Sequence, residues 1–130
     1  FVPPPEDLVM PLLEDLVAFI ARDDLPAVPQ AAVAHAQFET IHPYIDGNGR
    51  VGRALVHVVL RRRGVAARFV PPVSIVLAAR PAAYVEGLVA FREGNLAAWI
   101  GSFATAAARA AMMSIELADQ VERLRERLGR

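Results

Sequence analysis

The amino-acid sequence predicts an all-α domain. Apolar residues recur at helical spacing in stretch after stretch, and prolines and glycines punctuate the chain where helices must start and stop. After Pro3-Pro4-Pro5, the residues Val9, Leu12, Leu13, Leu16 and Ile20 mark an amphipathic helix over about 6–22. Pro11 lies in its first turns, where a missing N–H is tolerated if the helix starts near it. Asp23-Asp24-Leu25-Pro26 ends it. A second, alanine-rich helix runs from about 29 to 41 and stops near Pro43, whose ring disfavours helical geometry one residue earlier. A third spans about 48–63, with Val51, Leu55, Val58 and Val59 expected on its buried face and Gly64 as its C-cap. Pro71-Pro72 precedes a short helical piece around 74–79. Pro81 suits the first residue of a helix lasting to Gly94. Asn95 caps a last helix that runs beyond residue 120, with Leu96, Ile100, Phe103, Ala107 and Ala110 at a period near 3.6. Leu117, Val121, Leu124 and Leu128 then follow 4-3-4 spacing. That is too short for a coiled coil alone, but suited to pack on a following element or a second copy in a homodimer.

Composition narrows the function classes. The chain of 130 residues fits one domain, 1–130, large enough for a real core. Its 14 acids balance 14 bases, so net charge gives no argument for nucleic acid or an anionic membrane. With no cysteine, disulfides and thiolate zinc sites are excluded, and a reducing, cytoplasmic compartment fits. No apolar run approaches the ~18 residues of a spanning helix, and no signal peptide opens the chain. A start at Phe1 rather than Met reads as a fragment of something longer.

The run His42-Pro43-Tyr44-Ile45-Asp46-Gly47-Asn48-Gly49-Arg50-Val51-Gly52-Arg53 carries the chemistry. Gly47 and Gly49 let the backbone bend so that successive N–H groups form an anion nest. The helix that follows adds the positive end of its dipole. Arg50 and Arg53, three apart, can lean toward one anion. Asp46 offers a hard oxygen ligand suited to the Mg²⁺ that travels with a polyphosphate. His42 is placed to take a proton from an attacking hydroxyl. The blander readings are an Asp46 that only caps the helix, glycines that only turn the chain, and arginines paired with Glu39 or Asp46. His35 reads as a packed residue, His57 as structural and Glu39 as a surface glutamate. Arg61-Arg62-Arg63 reads as charge complementing a helix C-terminus rather than a nucleic-acid patch.

This run resembles the signature of the Fic family, H-P-F-x-D/E-G-N-G-R-x-x-R, departing only at Tyr44. The segment from Ala34 to Ile41 resembles the family's lead-in helix. Val2-Pro3-Pro4-Pro5, Tyr84-x-x-x-Leu88 and Trp99-Ile100-x-x-Phe103 look like further landmarks. The resemblance implies a Fic-type helical bundle with the catalytic motif on a loop between two central helices. It implies a protein adenylyltransferase that moves AMP from MgATP to a Ser, Thr or Tyr hydroxyl of a target protein, with His42 as general base. Asp46 would bind Mg²⁺ across the α- and β-phosphates and Asn48 would hydrogen-bond the transferred phosphoryl. Arg50 would hold the β-phosphate, Arg53 the γ-phosphate, and Tyr84 would sit near the adenine. Ala83 and Phe91 stand where the family often has a second tyrosine and an asparagine. The family's inhibitory pattern, S/T-x-x-x-E-G/N, is matched neither around Glu93-Gly94-Asn95 nor after Ser114. Together with part of the target-clamping flap, it is expected upstream of Phe1. The alternatives are transfer of another phosphoryl-containing group by the same fold, or a non-catalytic nucleotide-binding and dimerisation domain.

Overall fold

A computed structural model of the chain describes residues 1–129. Six helices follow one another: α1 (Glu6–Ile20), α2 (Ala27–Ile41), α3 (Asn48–Arg62), α4 (Val73–Ala78), α5 (Pro81–Arg92) and α6 (Leu96–Arg127). The all-α expectation holds, and the elements lie within about two residues of where proline and glycine placed them. Pro29 is the third residue of α2, where the N–H it lacks would have no helical partner anyway. Pro11 sits deeper than expected, because α1 begins at Glu6 and continues through it. Left-handed Gly64 and Gly94 end α3 and α5 with the same paired bonds: Gly64 N to Arg61 O and Val65 N to Leu60 O, then Gly94 N to Phe91 O and Asn95 N to Ala90 O. Asn95 Oδ1 accepts from Ala98 N at 3.2 Å and so caps α6 as the sequence suggests.

Helix α2 is the hub. Its alanines Ala31, Ala32, Ala34 and Ala36 are fully buried, and their short side chains let neighbouring helices come close. The largest core residues, Trp99 and Phe103, come from α6, and Trp99 Nε1 donates to Ala32 O at 2.7 Å. Gly87 of α5 lies flat against the Trp99 ring, where an added Cβ would be 2.7 Å from Cε3. Buried Gln30 ties three elements together. Its amide donates to Phe19 O, Ile20 O and Arg22 O, at and just past the end of α1, and its Oε1 accepts from Arg63 Nη1 at 2.6 Å.

Two expectations change. The buried face of α3 is Gly52, Val56, Val59 and Leu60, whereas Val51 and Val58 are exposed. The helix is rotated because Gly52, having no side chain, lets α2 pack on its side. Helix α6 is long and apolar enough, by length and composition, to cross a membrane, although the sequence has no unbroken apolar run of that length. Alanine supplies much of that composition, and Trp99, Phe103, Ala106 and Ala110 from the same helix are buried in the core.

Candidate active site

The motif occupies the α2–α3 connection, and both of its ends are left-handed. His42, the C-cap of α2, has φ 50° and ψ 55°, and it is the non-glycine residue with positive φ among those described. A side chain in that conformation is held against a backbone cost, a pattern that concentrates at functional sites. Its N–H still bonds Phe38 O at 2.9 Å, so the imidazole is fixed at the rim of the helix rather than in a loose loop. Gly47, with φ 88°, then turns the chain into α3. No side chain caps α3, so its first-turn N–H groups face outward with the positive end of the helix dipole.

Each predicted site residue has a definite place. Asn48 is buried and clamps the loop: its Oδ1 accepts from Tyr44 N at 2.9 Å and its Nδ2 donates to Tyr44 O at 2.6 Å. Asp46 does not cap the helix. Its carboxylate accepts from Gly47 N at 2.7 Å and pairs with Arg50 Nη2 at 3.3 Å, both side chains being largely in solvent. Such a pair holds little energy and opens readily to a competing anion. Gly49 lies inside the first turn of α3 rather than bending the chain, and its role is space. A Cβ there would be 3.0 Å from Arg53 Nη1, and one at Gly47 would be 3.4 Å from Arg50 Nη2. Both guanidinium groups therefore fold over the bare helix start, and His42, Asp46, Gly47, Asn48, Gly49, Arg50 and Arg53 share one end of the bundle. Tyr84 is half-buried on α5, its hydroxyl hydrogen-bonded with His35 Nε2 at 2.8 Å.

A neighbour of His42 and the residue stacked on it escape sequence reasoning. The Phe1 ring meets the His42 ring edge-on at 6.0 Å, and the Arg92 guanidinium stacks 3.7 Å over the Phe1 ring. Arg92 also reaches Thr40 Oγ1 at 3.3 Å. Phe1 and Arg92 lie far apart in the sequence, and no local signal marks them. Glu39 corrects its surface reading. It is only 8% exposed, its Oε1 has no partner among the described residues, and a Cβ on Gly52 would fall on that oxygen. Glu39, fully buried His35 and Tyr84 thus form a polar seam behind Arg53. Burial pushes the His35 imidazole below its ordinary value and, with Glu39 nearby, raises the Tyr84 hydroxyl to about 12, so both groups are neutral near pH 7.

Two of the three arginines after the motif, Arg62 and Arg63, serve the scaffold. Arg62 pairs with Asp23 at 2.7 Å and donates to Arg22 O, while Arg63 bonds Gln30 and Asp23 O.

Comparison with known proteins agrees with this geometry. The Fic/DOC family model matches residues 1–60, which contain the whole motif. A probable protein adenylyltransferase of Aquifex aeolicus is 38% identical over 66 residues, covering 50% of this chain and 21% of that protein. A protein adenylyltransferase of Caenorhabditis elegans is 31% identical over 99 residues, covering 74% of this chain and 18% of that protein. One from Drosophila willistoni is 43% identical over 77 residues, covering 57% and 14%. The chain thus spans about a fifth or less of the length of these curated relatives. The crystal structure of a Fic family protein from Desulfovibrio desulfuricans superposes with a TM-score of 0.77 at 26% identity, covering 89% of this chain and 36% of that one. By its motif, its relatives and the architecture it shares with that structure, the chain belongs to the Fic/DOC family.

Proposed function

We propose that this chain is the core of a protein adenylyltransferase that transfers AMP from MgATP to a Ser, Thr or Tyr hydroxyl of a target protein. The observation that carries the reading is the uncapped start of α3, with Arg50 and Arg53 folded over Gly47 and Gly49 and His42 held left-handed beside them. The names of the relatives support the same activity.

The described residues contain no cluster of three or more His, Cys, Asp or Glu side chains able to hold a metal. One exposed carboxylate, Asp46, fits Mg²⁺ all the same, because that ion keeps several waters and is shared with substrate phosphates. Asp46 would hold it, and it would supply positive charge against the departing diphosphate. The α3 N–H groups cradle the phosphates, Arg50 exchanges Asp46 for a phosphate oxygen, and Arg53 takes the outer phosphate. Asn48 acts through the loop, fixing Tyr44 and so the spacing from His42 to Asp46. Nε2 or Nδ1 of His42 removes the target hydroxyl's proton as that oxygen attacks the α-phosphorus, and pyrophosphate leaves. The Tyr84 hydroxyl is already bonded to His35, so any contact with the base is through its ring. The absence of cysteine supports a cytoplasmic setting.

The chain and its His42→Ala variant are incubated with Mg²⁺ and ATP labelled on the α-phosphate in a cell extract. Label on a protein band that disappears with His42→Ala is the expected result. Label arriving only from the γ-phosphate would mean phosphate transfer and overturn the reading.

A further inference from the structure

Helices α4, α5 and α6 enclose a cleft of about 620 Å³. That size lies within the range of small-molecule sites, roughly 300–1,000 Å³. None of residues 42–53 lines it, so it is separate from the phosphate cradle. Its walls are largely hydrocarbon, with Val76 and Leu77 from α4 and Ala106 and Met113 from α6.

Two arginines enter this apolar setting from different elements. Arg80 is the N-cap of α5, and Arg109 stands on α6. The short turn Glu93–Asn95 folds α5 back along α6, and Gly87 and Tyr84 both lie against Trp99. Arg80 and Arg109 are nearly equidistant from that turn, so the hairpin brings them to one end of the cleft. No aspartate or glutamate lines the cleft, and neither guanidinium is ion-paired among the described residues. The hydroxyls of Tyr84 and Thr105 are already engaged, by His35 and by Gly101 O. Ser102 and the two arginines are left to orient a ligand.

We propose that this cleft binds an organic anion, its apolar body seated between α4 and α6 and its carboxylate or phosphate held between Arg80 and Arg109. Arginine suits either group, because its planar fork donates two parallel hydrogen bonds to each. A cation is repelled by both side chains, and a neutral apolar molecule gains nothing from them. A nucleic acid needs basic charge spread along its backbone, whereas here the charge is gathered at one end of a hydrocarbon cleft. The proposal stands apart from AMP transfer and does not depend on it.

Sodium decanoate and decanol have the same length and differ in charge. Each is titrated into the native chain below its aggregation concentration, with backbone amide shifts followed by NMR. The expected result is saturable shifts over α4, the start of α5 and residues 102–113, with decanoate at least about ten-fold tighter than decanol. The double variant Arg80→Gln, Arg109→Gln keeps the fold, since both positions are exposed, and loses that preference. Ala83→Trp, at an exposed residue lining the cleft, fills it and weakens both ligands. No saturable binding, equal affinities in the native chain, or a preference that survives in the double variant would overturn the inference. So would displacement of decanoate by MgATP, which would put the cleft in the nucleotide site. Attachment to phosphatidylglycerol vesicles without saturable binding of free decanoate would mean a surface patch and equally sink the proposal.

Discussion

At the scale of the residue, the site depends on what is missing as much as on what is present. Gly52 separates Arg50 from Arg53, and its bare Cα is what allows the Glu39 carboxylate to lie buried between α2 and α3. Alanine at that position improves helix propensity by about 1 kcal/mol but drives a methyl group into Glu39 Oε1. The carboxylate is enclosed, so the clash outweighs the propensity gain, and Gly52→Ala lowers stability by about 1–3 kcal/mol. In a Glu39→Ala background the worst clash is gone and only His35 Nδ1, 3.3 Å from the new methyl group, has to give, so the same substitution costs at least about 1 kcal/mol less than in the native chain. Urea unfolding of the four proteins reads that difference, and equal effects in the two backgrounds would show that Glu39 and Gly52 do not meet. The motif itself was legible because its chemistry is local: base, acid, glycines and arginines lie within one turn and one helix start. Glu39 was not, since a single glutamate three residues before His42 carries no mark of which face it takes. Phe1 reaches His42, and Arg92 reaches Phe1, only through the tertiary fold, and contacts between residues that far apart leave no spacing to read.

At the scale of the element, the ends of helices are better determined than their faces. Proline and glycine act on the backbone directly, so α2, α5 and the close of α3 fall where those residues allow. Faces depend on what packs against them. Of the stripe Val51, Leu55, Val58, Val59, buried Val59 and partly buried Leu55 pack inward as expected, whereas Val51 and Val58 are exposed because the helix turns Gly52, Val56 and Leu60 inward, where a glycine admits α2 closely. Hydrophobicity cannot show an interface built on an absent side chain. Nor does sequence reveal how α1 is held. Its end is tied down by Gln30, one buried amide reaching Phe19, Ile20 and Arg22 while anchoring Arg63. Gln30→Ala takes the side-chain donor from Ile20 O and one acceptor from the largely buried Arg63 guanidinium, while Phe19 O keeps Arg22 N and Arg22 O keeps Arg62, and the expected loss is about 1–3 kcal/mol. Thermal unfolding monitored by circular dichroism measures it. A change in Tm no larger than that of an exposed alanine substitution would mean that water replaces the amide without cost.

At the scale of the whole molecule, net charge is zero and surface pairs such as Arg22–Asp24 lie in solvent, so burial rather than ion pairing must set the stability. One buried titratable residue touches four helices at once. His35 belongs to α2, lies 3.3 Å from a Cβ placed on Gly52 of α3, bonds Tyr84 of α5, and stacks at 6.0 Å on Trp99 of α6. The charged and titratable groups facing it are Glu39, Arg53 and Tyr84, and burial, the largest influence, holds its imidazole below the ordinary 6.5. The sign follows from linkage. Below pH 6.5 the unfolded chain takes up a proton that the folded chain refuses, so stability is at its full value above 6.5 and falls as pH drops toward the depressed folded value. His57, shifted the same way by burial, adds to the slope, though it is more exposed than fully buried His35. Urea midpoints measured between about pH 7.5 and pH 5 should therefore decline for the native chain. They should decline less for His35→Gln, whose amide keeps a bond to Tyr84 without titrating, while His57→Gln retains most of the slope. A His35→Gln protein as acid-sensitive as the native chain would remove His35 from this role and leave the acid loss to groups on the surface.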